Sequence, residues 1–327
     1  MTALLITVDT ELSALLHQRG ASVADNVARS IWAETPQGAF GIGWQMGVME
    51  RRGLKGVFFL DPLPALVHGA DFLEPIVTQI VGRGHEVQLH IHSEWLQWAP
   101  LSPVEGRQGH NIGDFSLADQ IVLLRLARQL LEQAGAPQIT AFRAGNFGAN
   151  DDTLRALATI GIAWDSSVNP AYLGEGGCGI GLPASLIDAT RRCGTAELPV
   201  SGIVDRPGGF RPAQVCAMSA AEMRTGLVHA ARERHDAYVV VTHSFEMLSR
   251  DRQRPNRTVI ARFEALCAAA ERTEGVRSAG FNDLSPTIAD QPARGATRVG
   301  PSPLRTGLRM AQQAWATWRY ERSGARA

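Results

Sequence analysis

Short apolar runs rich in β-branched and aromatic residues recur along this chain, at 3–8, 53–60, 86–92, 139–143, 162–165, 196–200, 238–243 and 276–281. Between them lie longer segments with apolar residues at helical spacing: 24–52, 71–82, 116–134, 151–160, 219–234 and 258–274. Strand-length and helix-length patterns in alternation predict βα units, and hence a parallel sheet covered by helices. Helix starts support the reading. Asn150 and Asp151 precede a periodic run, and Ser219 stands three residues before Glu222, the spacing of a capping box. At 327 residues the chain has room for one α/β barrel of roughly 250 residues and a tail.

The expected barrel occupies residues 1–285. Residues 286–302, PTIADQPARGATRVGPS, read as a linker rich in Pro, Gly and small side chains. Residues 303–327 read as an amphipathic C-terminal helix and tail, with Leu304, Leu308, Ala311, Trp315 and Trp318 spaced by three or four. Such a helix either docks back on the barrel or, because Trp and Arg suit an interface, lies on a membrane surface or a partner.

Thirty-two basic residues balance 32 acidic ones, so the whole-chain field favours neither nucleic acid nor an anionic membrane as the main partner; a small or neutral molecule is expected. Cys178, Cys193, Cys216 and Cys267 form no CxxC pair, which argues against a zinc knuckle and for a reduced, cytoplasmic chain. MTALLITVDTE lacks the features of a signal peptide, and no run reaches the ~20 apolar residues of a membrane span.

In a parallel barrel, chemistry gathers where the strands end. Here the first run ends in Asp9 and Glu11, the third in His90 and His92, the fourth in Arg143, the fifth in Asp165 and YVVVTH in His243. Singly, each has a structural explanation as a cap, an ion pair or a surface histidine. Together, at one mouth, they point to chemistry. Within HEVQLHIHSEW, residues 85–95, His90, His92 and Glu94 share one strand face, or His90 and Glu94 meet if the chain turns after His90. Either way two ligands aim at one point, which suits zinc or a similar divalent ion, with a third from Asp9 or Glu11.

These residues resemble the polysaccharide deacetylase family, the NodB-homology domain of carbohydrate esterase family 4, whose five motifs appear in order. The resemblance implies a distorted parallel (β/α) barrel of seven or eight strands. "TVDTE" would supply Asp9 as base and Glu11 as metal ligand. "GHE" followed by His90 matches the second motif, but Glu94 stands where a second histidine is usual, so either His92 or Glu94 completes the metal set. "FRAGNFG" would supply Arg143 to orient the base and backbone N–H groups near Gly145 and Asn146 for an oxyanion. "WDSSV" resembles the fourth motif, whose Asp165 would support the catalytic histidine and raise its pKa. "VVVTHSFEM" would supply His243 as general acid. "GVFFLDPL" and "AELPV" resemble further family segments, and "LHIHSEW" with "GIGWQMG" most resembles deacetylase-like proteins of surface polysaccharide synthesis.

The implied activity is metal-dependent hydrolysis, with Zn2+ first and Co2+, Ni2+ or Mn2+ as alternatives, of an N-acyl group on an amino sugar. Segment 99–115, with His110 and Asn111, and the Gly-rich segment 174–181 would shape the substrate cleft. The departure at Glu94 motivates a rival reading, a degenerate barrel that binds glycan or a partner without turnover. Nucleotide binding through "GAFGIGWQMG" is disfavoured, since no strand precedes that glycine pattern.

Overall fold

The computed structural model describes residues 1–174, 176–292 and 294–321. The main sheet comprises β1 (Thr2–Thr10), β2 (Gly56–Leu60), β3 (Glu86–Ile91), β4 (Ala141–Ala144), β5 (Trp164–Asp165), β6 (Thr190–Arg192), β7 (Thr195–Glu197), β8 (Ala237–His243) and β9 (Val276–Ser278). Its order is β8-β1-β2-β3-β4-β5-β7-β6, with β9 also on β1; every pairing is parallel except β6 with β7. After β7 the chain crosses back to β8, where the Ser201 and Val215 N–H groups donate to the carbonyls of Val239 and Val241 at 3.2 and 3.1 Å. The result is the distorted (β/α) barrel.

Strand alternation sorts the apolar side chains into two cores. Leu4, Ile6 and Val8 of β1 pack outward with Phe58, Leu89, Phe142 and Val240, beneath helix residues such as Leu123 and Phe263. Ala3 and Leu5 point the other way, with Val57, Phe59, Ala141, Trp164, Val239 and Phe281, in a cluster without residues of the long helices: the barrel interior. Odd-numbered residues of β1 therefore face inward, and Asp9 continues that row.

The covering helices are α1 (Val23–Ser30), α2 (Ile42–Glu50), α3 (Leu73–Gly82), α4 (Leu117–Gln133), α5 (Asp151–Ile160), α6 (Ala220–Glu233), α7 (Arg257–Arg272) and α8 (Pro303–Ala316). Asn150 caps α5, and Ser219 with Glu222 closes the capping box of α6. The single helix expected over 24–52 is instead two, α1 and α2, separated by a hairpin of Glu34–Thr35 with Gly38–Ala39. Pro36 disfavours helix before it, Gly38 takes φ +118°, and a Cβ on Gly41 would lie 2.0 Å from the Ile31 carbonyl oxygen.

The segment read as a linker begins with a short helix, Pro286–Asp290, whose Ala289 enters the interior core, and Val299 is buried farther on. α8 continues into a turn over Thr317–Glu321; the rest of the tail, 322–327, lies outside the described residues.

Candidate active site

Register aligns the polar strand ends. Asp9 lies opposite His243 across β1 and β8, and His90 opposite Arg143 across β3 and β4. All four belong to rows that face the barrel interior, and β3 ends at Ile91, so His92 follows His90 on the same side.

Glu11, His90 and His92 offer ligand atoms within 4.8 Å of one another. His90 is fixed from behind, its Nδ1 at 2.7 Å from the Arg143 carbonyl oxygen, which leaves Nε2 facing Glu11 Oε2 at 3.4 Å. A partner on the far nitrogen is the usual way of orienting a ligating imidazole. His92 Nε2 also abuts Glu11 Oε2. Gly145 makes room for that ring: a Cβ there would lie 2.8 Å from His92 Cγ and Nδ1. Burial works against ionisation of Glu11, but the two imidazoles outweigh it and hold the carboxyl well below its usual range. Burial likewise lowers His92, yet the Glu11 carboxylate lifts it to about 10.

Glu94 is corrected. The chain turns into a 3-10 helix at Ser93–Trp98, and the Glu94 carboxylate lies 3.6 Å from His110 Nδ1, outside the Glu11–His90–His92 group. The turn that was to bring Glu94 back to His90 takes it toward segment 99–115.

Beside this group, Arg143 is fully buried. Its Nη1 donates to Asp9 Oδ1 and Thr7 Oγ1, each at 2.7 Å, its Nε donates to the Ser166 carbonyl at 3.1 Å, and its guanidinium lies 4.4 Å from the Phe59 ring centre. Asp9 of TVDTE and Arg143 of FRAGNFG are thus in contact. The following Asn146 and Phe147 hold φ 55° and 57°, a left-handed turn that non-glycine residues adopt at a cost. Phe147 stacks at 5.3 Å on Tyr172, beside the 174–181 segment.

His243 meets Glu246, its Nδ1 at 3.2 Å from Oε1. Burial would lower the imidazole's pKa, but the Glu246 hydrogen bond and charge, aided by Asp9 and Glu11, raise it to about 9. Glu246 in turn accepts from Thr242 Oγ1 at 2.7 Å and Gln214 Nε2 at 3.0 Å. Asp165, expected to support this histidine, does not. Trp164 occupies the interior, so strand alternation sends Asp165 outward. There it accepts from Ser167 Oγ at 2.7 Å and lies across β5 and β7 from Glu197, whose carboxyl burial pushes well above its usual range.

Three further residues escaped the sequence reading. Glu246 stands inside VVVTHSFEM, three residues past His243. Asp61 ends β2 as the other polar groups end theirs, so the strand-end rule applied to GVFFLDPL would have found it. Its Oδ2 is buried without a hydrogen-bond partner, and burial, opposed by the charges of His92 and His90, pushes its carboxyl up to about 7. Gln45, in GIGWQMG, donates from Nε2 to the carbonyls of His243 and Ser244 at 3.0 and 3.2 Å. That segment is helix α2, with no strand leading into it.

No family model matches this chain, and no curated protein does. Solved structures do. A protein from Mycobacterium smegmatis named for polysaccharide deacetylase superposes with a TM-score of 0.57 at 17% identity, over 92% of this chain and 95% of that one. This chain has the NodB-type polysaccharide deacetylase fold. A family 4 carbohydrate esterase from Streptomyces lividans, solved with acetate, aligns at 12% identity and a TM-score of 0.43, over 92% of this chain and 98% of the esterase. In this fold the deep end of the interior is plugged by Phe59, Trp164 and Phe281, and the polar groups occupy the open end.

Proposed function

We propose that the chain is a metal-dependent hydrolase that removes an N-acyl group, N-acetyl first among them, from an amino sugar in a polysaccharide or its precursor. One observation carries this reading: a carboxylate with two imidazoles, an Asp–Arg pair and a His–Glu pair converge at one barrel mouth. The donor set fits a metal. Glu11 Oε2 faces both imidazole Nε2 atoms yet makes no hydrogen bond of good geometry, as expected of lone pairs directed at a shared cation. Two imidazoles and a carboxylate suit Zn2+, with Co2+, Ni2+ or Mn2+ as alternatives.

Glu11, His90 and His92 would hold the ion, which when bound polarises the acyl carbonyl and makes water acidic enough to ionise near neutral pH. Asp9, oriented by Arg143, takes a proton from the attacking water. General-base help of this kind is worth roughly 10²- to 10⁴-fold. Backbone N–H groups at Gly145 and Asn146 would receive the developing oxyanion, each donor worth about 3 kcal/mol. His243, kept protonated near neutral pH by Glu246, delivers a proton to the departing amine, which leaves poorly as an anion. The stacked Phe147 and Tyr172 would offer a flat wall to a sugar ring.

In this reading the partners are an N-acylated carbohydrate and, through the C-terminal helix, a membrane. No described helix is long and apolar enough to cross one. A cytoplasmic location belongs to the same reading, supported by four unpaired thiols. The test is metal analysis of the purified protein together with acetate release from N-acetylated sugar oligomers. Stoichiometric metal with acetate release supports the hydrolase. Glycan binding with neither metal nor rescue by added zinc or cobalt would establish instead the rival reading of a non-catalytic barrel.

A further inference from the structure

The C-terminal helix is docked by its polar side. Arg309 is buried against the barrel, where Nη2 lies 3.0 Å from Asp205 Oδ2 and Nε 3.0 Å from Glu222 Oε1. Nearby, Thr306 Oγ1 donates to the Asp205 carbonyl at 3.1 Å and Gln313 Nε2 to the Ala217 carbonyl at 3.3 Å. Leu304, Leu308, Ala311 and Trp315 follow one another by four, three and four residues and form a single stripe on the other side. Leu304 is 74% exposed, Leu308 57% and Trp315 52%, with Trp318 in the next turn at 61%. An amphipathic helix of a water-bathed domain turns its apolar stripe to the core. This one presents it outward.

Positive charge gathers beside the stripe. The chain is neutral as a whole, but the described part of the C-terminal segment, 303–321, carries Arg305 and Arg319 besides the inward, ion-paired Arg309. Residues 250–257, RDRQRPNR, add four arginines against Asp251, and Arg250 and Arg257 are exposed. The two segments touch: Arg254 Nη2 donates to the Arg319 carbonyl at 3.0 Å, and its guanidinium lies 5.8 Å from the Tyr320 ring, which packs edge-on against Trp315. Contacts continue to the mouth. Arg252 lies 3.9 Å from the Phe245 ring centre, and that ring is 5.4 Å from His243. An aliphatic stripe with tryptophans at one end and arginines alongside matches the boundary of an anionic bilayer, where indoles take the headgroup level and arginines meet phosphates.

We infer that the outward stripe of α8 and the 250–257 arginines form a docking face for an anionic lipid bilayer, which brings the barrel mouth to the membrane surface. The face does not depend on turnover, so an Asp9→Asn chain should dock as well as the unaltered one. The test is co-sedimentation of the full chain with vesicles of phosphatidylcholine alone or mixed with phosphatidylglycerol. Binding is expected to the mixed vesicles, weakening as salt rises. Leu308→Glu and Trp315→Glu, with unchanged circular dichroism, should each abolish it, and Arg250→Ala with Arg257→Ala should weaken it roughly fivefold per arginine. No pelleting with the mixed vesicles, or pelleting unaffected by the stripe variants, overturns the inference. So does light scattering that finds a dimer which Leu308→Glu converts to monomer, since a second copy then covers the stripe.

Discussion

Asp9 and Asp165 are both buried carboxyls at the ends of parallel strands, yet their surroundings differ in sign. Asp9 faces the interior and receives a guanidinium, whereas Asp165 faces the helices and shares its burial with a second acid, Glu197. The cause is strand parity. Trp164 takes the interior position on β5, so the next residue turns away from the mouth, while on β1 Leu5, Thr7 and Asp9 run along one face. A strand end brings a residue near the mouth, and parity decides whether it reaches the site.

The largest effects should fall on the interior face. Asp9→Asn and His243→Ala are each expected to reduce acetate release about 10²- to 10⁴-fold with metal content retained. Loss of metal from Asp9→Asn would reverse the roles given to Asp9 and Glu11. Next, Glu11→Gln and His92→Ala should purify with little metal by plasma mass spectrometry, while Glu94→Gln, whose carboxylate lies against His110, should retain it; the opposite pattern would return Glu94 to the ligand set.

A pH profile probes the comparison directly. His243 is raised to about 9, so turnover that needs its proton is present below that pH and lost as pH rises through it. Glu246→Gln removes the main raising influence and should move the alkaline limb to lower pH. Asp165→Asn should leave that limb in place, and an equal shift there would restore Asp165 as the partner of His243. The same sign holds for stability: the His243 contribution is complete below the ordinary imidazole value near 6.5 and is lost as pH climbs past about 9.

The smallest effect is expected on the outer face. Burial pushes the Glu197 carboxyl well above its usual range, so Glu197→Gln, which matches the protonated acid, should change stability by less than about 1 kcal/mol in urea unfolding. The variant should also lose the fall in stability that the parent shows as pH rises above the ordinary carboxyl range, where the unfolded chain releases a proton that the folded one keeps. A loss of several kcal/mol would mean that the pair carries an ionised Glu197.

Much of the arrangement is legible in local pattern. The βα alternation, the starts of α5 and α6 and the row of polar strand ends follow from periods of two and of 3.6 residues, which each segment expresses by itself. The break between α1 and α2 was also written locally, in Pro36 and Gly38, but the apolar residues on both sides masked it. Glu94 and Asp165 were misplaced because a motif spacing fixes neither the turn that follows a strand nor the face a two-residue strand presents. Glu246 and Asp61 were legible locally, three residues past His243 and at the end of β2, whereas Gln45 reaches the mouth from a helix, through contacts that no spacing encodes.

By itself, the sequence determined the alternation of elements, the set of titratable residues at the strand ends and the amphipathic character of the tail, because these depend on neighbours within a turn or a strand. Tertiary structure alone decided which of those residues share the mouth, that Glu246 and not Asp165 backs His243, and that α8 turns Arg309 inward and its leucines out. Those outcomes depend on register, parity and charge across distant segments, where the free energy of a side chain is set by what the fold brings against it.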